Sequence, residues 1–404
     1  MKTLVQLYYR ILMGSLRLVT GHKTIQTWTF HKGCLRILGN DWEVRKPKRS
    51  LLRIIWTVLY PASYILLLGI SVVLTVKNAI TILKHQGKSG DILQFIRAMN
   101  GFIVSIAYVY AAAKGIIFKA QGGQLLRLMD MLDELGEQDD DGRPHRDRAL
   151  LNCTLYMGLL FVTPGAWTIY FVFFHQAIPY PTEFPWSEDT HLGYFASFST
   201  DFVTAVYCAA LHSVYDTMFP MVVGVISGHL ASLKAKLAKF GGGGLDGKEE
   251  SVLRKCHLKH VDILRIMKHM NDCFRLLFLV QTTYTVLHAC VIIYQVMQVS
   301  DIALAIMNTS PILSSAYSQL LMYCYYGQLL TTNFEELKEG LYENKWYNCD
   351  GRTKKSLCLM TLMADRPVRL ESYGITSAAH HTYLSSLQDS ISYYLILKTL
   401  TTEE

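Results

Sequence analysis

Seven long apolar stretches, parted by charged segments, limit this chain more than any other feature of it. They run over Leu51–Val76, Ile92–Phe118, Ala149–Phe174, Tyr194–Leu230, Cys273–Val299, Ile302–Phe334 and Thr376–Leu400. A helix rises 1.5 Å per residue, so stretches of roughly 20 residues or more cross a hydrocarbon core of about 30 Å. A soluble chain of 404 residues, 51% of them hydrophobic, would divide into two or three domains with its apolar positions scattered at helical or strand spacing. Here they come in blocks, which predicts an all-α membrane protein of seven transmembrane helices. The second stretch reads as the weakest by hydropathy, because Arg97, Asn100 and Lys114 interrupt it. The fourth and sixth exceed what a bilayer needs, and are expected to tilt or to project beyond it.

The distribution of Lys and Arg orients the bundle. Of the basic residues behind the net charge of +7, ten fall in 1–50, nine in 231–272 and seven in 335–375. The alternate loops are poor in them: 77–91 holds Lys77, Lys84 and Lys88, and 175–193 holds none but carries Glu183, Glu188 and Asp189. By the positive-inside rule the N-terminus is cytoplasmic and the C-terminus extracellular. This division assigns 1–50 to a cytoplasmic N-terminal segment with no cleavable leader, 51–334 to the first six helices and their loops, 335–375 to a cytoplasmic helical anchor, and 376–404 to the last helix with a short external tail. The glycine run after Phe240 reads as a flexible cytoplasmic linker, followed by a separate helix around Val252–Met270. The stretch IPYPTEFPWSEDT between the third and fourth spans, stiffened by its prolines, reads as a lid.

The last apolar run carries a hydroxyl-rich face: Ser385, Gln388, Ser392 and Thr399 interrupt its aliphatic residues. A spanning helix with such a face has neighbours or water on it, which suggests the lining of a pore. Ser392, Ile396 and Leu400 recur every four residues on one side, and an apolar constriction there can close a pore by dewetting. Ionisable residues inside the spans need partners. Asp201, His212, Asp216, His288 and Asp389 are the candidates, and His212 and Asp216, one turn apart, are expected to pair with each other.

Enzyme chemistry finds no footing. His380-His381 and His257-x-x-His260 lack the Glu or Cys that would complete a zinc site, and neither a phosphate-binding GxxxxGK[ST] loop nor a GxSxG elbow occurs. Hence no cofactor, no metal and no nucleic-acid partner is expected. None of the nine cysteines lies in an external loop, so no disulfide framework is implied.

KWYN followed by RTKKSLCLMTLMADRPVRLES, a final span closing in SISYYLIL, and the outer PYPTEFPW loop resemble the insect odorant receptor family. The related gustatory receptors close their last span in a TYxxxxxQF pattern, which this chain lacks. It also lacks the long second cytoplasmic insertion of the shared coreceptor, so the resemblance is to a ligand-tuning subunit. What the resemblance implies is a tetrameric, odorant-gated, non-selective cation channel in the plasma membrane of sensory neurons, assembled with the coreceptor. In it the final helix lines the pore, with Ile396 and Leu400 at the gate, Ser392 one turn deeper and Thr399 at the outer mouth. The alternatives are a gustatory-type homotetrameric channel, a seven-helix transporter and a G-protein-coupled receptor.

The resemblance also implies a pocket in the outer half of the bundle for a volatile, mostly apolar molecule. Depth within each span selects Met99, Phe102 and Ile103 on the second, Thr163, Trp167 and Tyr170 on the third, Phe198, Phe202 and Val206 on the fourth, and Thr309, Ser310, Leu313 and Ser314 on the sixth. In the anchor, Trp346, Tyr347, Leu357, Leu359, Met360 and Leu362 are expected to form the face buried against other subunits.

Overall fold

The computed structural model describes residues 60–86, 92–136, 138–170, 184, 186, 190–240, 249–299, 302–365 and 369–402. The N-terminal segment, the first nine residues of the first span, most of the outer proline-rich loop and the glycine linker lie outside this set. The described chain is almost wholly helical: α1 Tyr60–Gln86, α2 Ile92–Ala120, α3 Gly122–Glu134, α4 Arg143–Tyr170, α5 His191–Leu237, α6 Glu249–Gln298, α7 Ile302–Glu343, α8 Gly351–Ala364 and α9 His380–Thr402. A 3₁₀ turn, Trp346–Asn348, stands between α7 and α8. The anchor is therefore a chain of short pieces and not one continuous helix.

α5 is the axis of the bundle. Every residue from 211 to 230 is buried, so this helix has no solvent or lipid face over five turns. Such a segment needs apolar or small residues all round, and LHSVYDTMFPMVVGVISGHL supplies them apart from His212, Asp216 and His229. α4, α7, α2 and α6 pack around it. At its centre the Phe219 ring stacks on Tyr323 of α7 and meets Phe274 of α6 edge-on, with centroids 5.3 and 5.4 Å apart. Thr190 caps its N-terminus, its side chain accepting from the Gly193 N–H at 3.1 Å. Trp186, in the outer loop, donates its indole N–H to Ser197 of α5 at 2.9 Å and stacks on Phe184.

Three local expectations are revised. First, the separate helix around Val252–Met270 and the fifth span are one 50-residue helix, α6. No Gly or Pro lies between them, and Asn271-Asp272 alone does not break the backbone ladder. Second, the final helix begins at His380, not Thr376, because Glu371–Ser372 and Thr376–Ser377 pair as an antiparallel hairpin. Its turn places Tyr373 at φ 53° and Gly374 at φ 70°, the left-handed pair that a tight two-stranded turn requires. The hairpin rests on α6: the Glu371 N–H donates to Asn271 Oδ1 at 3.1 Å, Ser372 donates to the Arg275 carbonyl, and the Arg275 guanidinium lies 4.9 Å from the Tyr373 ring centre. Third, the second stretch is not the weakest. Among the described residues, three helices are long and apolar enough to cross a membrane, and they include Ala98–Ala120 of α2 alongside α5 and α6. Arg97 falls just short of that range, and Lys114 is buried and paired.

The basic end of α6 carries a pH liability. Neither ring nitrogen of His260 has a hydrogen-bond partner among the described residues. Burial first, and the neighbouring His257 second, push its imidazole down to about 4. Between roughly 6.5 and 4 the unfolded chain therefore takes up a proton that the folded one refuses. Stability is complete above that window and is lost as pH falls through it, by on the order of 3 kcal/mol. Thermal melts of the purified protein from pH 7.5 to 4.5 are expected to show this slope and to show a shallower one in His260→Phe. An unchanged slope would remove His260 as its source.

Candidate functional site

A polar cluster sits where α2, α4, α5, α6 and α7 converge. Lys114 of α2 and Asp216 of α5, both fully buried, form an ion pair. The second carboxylate oxygen of Asp216 accepts from the Tyr156 hydroxyl of α4 at 2.9 Å. The Lys114 ammonium also donates to Gln281 Oε1 of α6 at 3.2 Å and lies 4.2 Å from the Tyr110 ring centre. Tyr110 donates to the same Gln281 oxygen, and the Gln281 amide reaches Thr285 at 3.1 Å and Gln319 of α7 at 3.4 Å. Each charge thus has both its counterion and further hydrogen bonds, the condition under which buried charge is tolerated. The expected His212–Asp216 pairing does not occur. The carboxylate turns to Lys114, and His212 joins an aromatic stack, 5.2 Å from the Tyr110 ring, which in turn lies 4.0 Å from Tyr284. His288 continues the stack at 4.9 Å from Tyr284.

Beside this cluster lies a cavity of about 120 Å³. α2 lines it with Ile103, Val104, Ala107 and Tyr108, α4 with Leu160, and α5 with Ala205, Cys208, Ala209 and His212. α6 contributes Tyr284 and His288, and α7 contributes Ile312, Ser315 and Gln319. The wall is apolar and aromatic with a few polar groups, the usual make-up of a site for a small neutral molecule. Gln319 and Tyr284 belong to both the cavity and the polar cluster, so the charged pair forms the footing of this wall.

Of the positions selected by depth, Ile103 lines the cavity. Met99 is buried with Phe95, Ile96 and Val299 in a separate cluster, against which Phe102 packs. Phe198 and Phe202 stack on each other at 6.2 Å, Phe202 being exposed, and Val206 is half-buried. Thr309 is buried, Leu313 half-buried, and Ser310 and Ser314 exposed, Ser314 donating to the Pro311 carbonyl. The side chains of Thr163, Trp167 and Tyr170 lie outside the described set.

α9 has two unlike sides. Thr382, Ser386 and Ser390 are buried, and the Tyr317 hydroxyl of α7 pairs with Ser390 Oγ at 2.7 Å. Ser385, Gln388, Asp389, Ser392, Ile396 and Thr399 are exposed. At 100° per residue these six fall within one stripe, distinct from the aliphatic positions Leu384, Ile391 and Leu395. Ser392 and Thr399 also bond back to their own helix, at the carbonyls of Gln388 and Ile396. The Leu400 side chain lies outside the described set. Of the anchor residues, Leu357 and Met360 are buried in this chain's own core, which removes them from any face free to meet another subunit. Trp346, Tyr347, Leu359 and Leu362 are exposed on the single chain.

Sequence reasoning missed Lys114, Tyr284, Ser315 and Gln319. Lys114 offered a signal, since an ammonium in the middle of an apolar stretch demands a carboxylate, and Asp216 was the one buried nearby.

Residues 94–388 match the family described as 7tm Odorant receptor. Among relatives, Odorant receptor 85b of Drosophila melanogaster is 24% identical over 229 residues, 56% of this chain and 58% of that protein. Odorant receptor 82a of the same fly is 20% identical over 225 residues, again 56% and 58% of the two chains. The chain thus spans somewhat over half the length of the relatives it matches. The fold is similar to that of the insect olfactory receptor OR5 from Machilis hrabei, at a TM-score of 0.72 and 15% identity, over 96% of this chain and 98% of that one. The same receptor in complex with eugenol gives a TM-score of 0.72 at 16% identity, over 92% and 97% of the chains. An all-α membrane bundle and a family match over most of its length carry one conclusion: the chain belongs to the insect seven-transmembrane odorant receptor family.

Proposed function

We propose that this chain is a ligand-tuning subunit of an odorant-gated, non-selective cation channel, assembled with the odorant receptor coreceptor as a heterotetramer in the plasma membrane of sensory neurons. The observation that carries the reading is the exposed polar stripe of α9. A stripe of Ser385, Gln388, Asp389, Ser392 and Thr399 on a membrane helix is costly against lipid and is relieved by water or a neighbouring subunit. In this reading all seven spans cross the bilayer, with 1–50 and the 335–375 anchor cytoplasmic and the end of 376–404 outside. Trp346, Tyr347, Leu359 and Leu362 meet other subunits.

The ligand is volatile, small and mostly apolar, and it sits in the cavity between α2, α4, α5, α6 and α7. OR5 from Machilis hrabei was solved with eugenol, a molecule of this general kind. Met99, Phe102, Trp167, Tyr170 and Phe198 are proposed to guide it in from the outer side, with Thr163, Phe202, Val206, Thr309, Ser310, Leu313 and Ser314 around them.

The test is recording in cells without native receptors. Odour-evoked cation current is expected from this chain together with the coreceptor and not from either partner alone. Current from this chain alone would instead favour the homotetrameric gustatory arrangement, and labelled uptake without current would favour a transporter. With Ile396 and Leu400 as the apolar constriction, the Ile396→Ser, Leu400→Ser double variant is expected to raise odour-independent leak several-fold. A normally gated double variant would count against this register.

A further inference from the structure

We propose that the cavity selects compact neutral molecules carrying one hydroxyl group, with the His288 imidazole as the partner of that hydroxyl. This rests on the reading of the cavity as the ligand site. Size sets the first limit. At about 120 Å³ the space is somewhat smaller than the roughly 150 Å³ apolar cavity that accepts a benzene molecule, so the ligand is on the scale of one ring.

Polarity sets the second limit. His288 is 1% exposed and lines the cavity; the Ile103 carbonyl lies beside its ring, but neither ring nitrogen makes a hydrogen bond of normal geometry. His212, at the far side of Tyr284, has an unpartnered Nδ1. Buried polar atoms are rarely left this way, and a molecule that supplies the missing bond is favoured over one that does not.

A neutral imidazole presents one N–H donor and one bare acceptor nitrogen. A hydroxyl both donates and accepts, so it matches either nitrogen in either tautomer, whereas a carbonyl meets only the donor. Ionised ligands are disfavoured, because the charges nearest the cavity, Lys114 and Asp216, already neutralise each other. Tyr108 and Tyr284 both line the cavity, an aromatic wall that suits a small planar ligand. Water in the cavity can satisfy His288 as well. A hydroxylated ligand replaces that bond as it displaces the water, and a hydrocarbon does not.

The full chain in lipid nanodiscs, probed by ligand-observed saturation-transfer NMR, tests this with phenol, toluene and 2-naphthol. Phenol and toluene differ by one hydroxyl for one methyl, and 2-naphthol adds a second ring. Phenol is expected to bind roughly tenfold or more tightly than toluene, one hydrogen bond's worth. It is likewise expected to bind at least about tenfold more tightly than 2-naphthol, which overfills the space. His288→Phe should bring phenol down to the level of toluene while leaving toluene within about threefold, and His288→Gln should keep the preference. Equal binding of phenol and toluene by the unaltered chain overturns the proposal, as does a phenol preference that survives His288→Phe, or 2-naphthol binding as tightly as phenol. The comparison on the unaltered chain decides the matter even if a variant fails to fold. A phenol preference without any odour-evoked current would sink the channel reading and leave this one standing, while no binding of any probe would overturn the cavity as a ligand site.

Discussion

Asp216→Ala is expected to lower stability by about 3–5 kcal/mol, among the largest effects a single substitution in this chain can have. The side chain removed is fully buried, and its loss strands the Lys114 ammonium against Gln281 and the Tyr110 face with no counterion. It also leaves the Tyr156 hydroxyl without its acceptor. Lys114→Ala should cost a similar amount, since it strands the carboxylate. The double variant Lys114→Met, Asp216→Leu removes both charges and should recover most of the loss, because well-packed apolar residues replace a buried pair at little or no cost. Thermal melts in detergent and surface expression would measure all three. Single variants that lose less than about 1 kcal/mol would mean that water or another side chain takes up the stranded charge.

Gly327→Ala is the second large expectation, and it acts on shape, not charge. A Cβ at Gly327 would stand 2.2 Å from the Ala378 carbonyl oxygen and 2.5 Å from its Cβ. Neither neighbour is the free end of a flexible side chain. Either α7 must retreat or the hairpin before α9 must lift, and the expected cost is about 1–3 kcal/mol. The same substitution at Gly158 of α4, where nothing lies within 4 Å, should be neutral or stabilise by up to about 1 kcal/mol through helix propensity. Because Ala378 leads directly into α9, the Gly327 variant should also change basal current in the proposed channel with the coreceptor, and the Gly158 variant should not. Equal melting temperatures for the two would refute the close-approach argument.

Helical class and approximate spans are legible in the chain because apolar block length is a property of sequence alone. Four features were not. Continuity of α6 through Asn271-Asp272 leaves no mark in the hydrophobic pattern, which changes there from a charged to an apolar segment, and the hairpin bonds to Asn271 and Arg275 on that very turn. The hairpin itself occupies only two residues per strand, too few to give an alternating pattern. The cavity wall depends on how each helix is rotated, and sequence gives depth but not rotation. α7 shows the difference: the depth-selected Ser310, Leu313 and Ser314 lie on another side of the helix from Ile312, Ser315 and Gln319, which line the cavity, and Thr309, one turn before Ile312, is buried outside that wall. Hydrophobic pattern cannot decide between those sides when lipid and core are equally apolar. The Lys114–Asp216 pair joins residues 102 positions apart, and only the spatial neighbourhood of α2 and α5 brings them together.

The unbroken course of α6 has a mechanical consequence. Its 50 residues make a rod about 75 Å long. α5 and α7 carry Pro220 and Pro311 within their lengths, and α6 has neither Pro nor Gly at which to bend. A rod without a joint cannot relax a disturbance where it arises. If His288 and Tyr284 shift so that the rod leans by about 3°, its opposite end sweeps roughly 4 Å, enough to slide one packed surface past another. Displacement small at the cavity is thus magnified by leverage at the end where Trp346, Tyr347, Leu359 and Leu362 stand exposed.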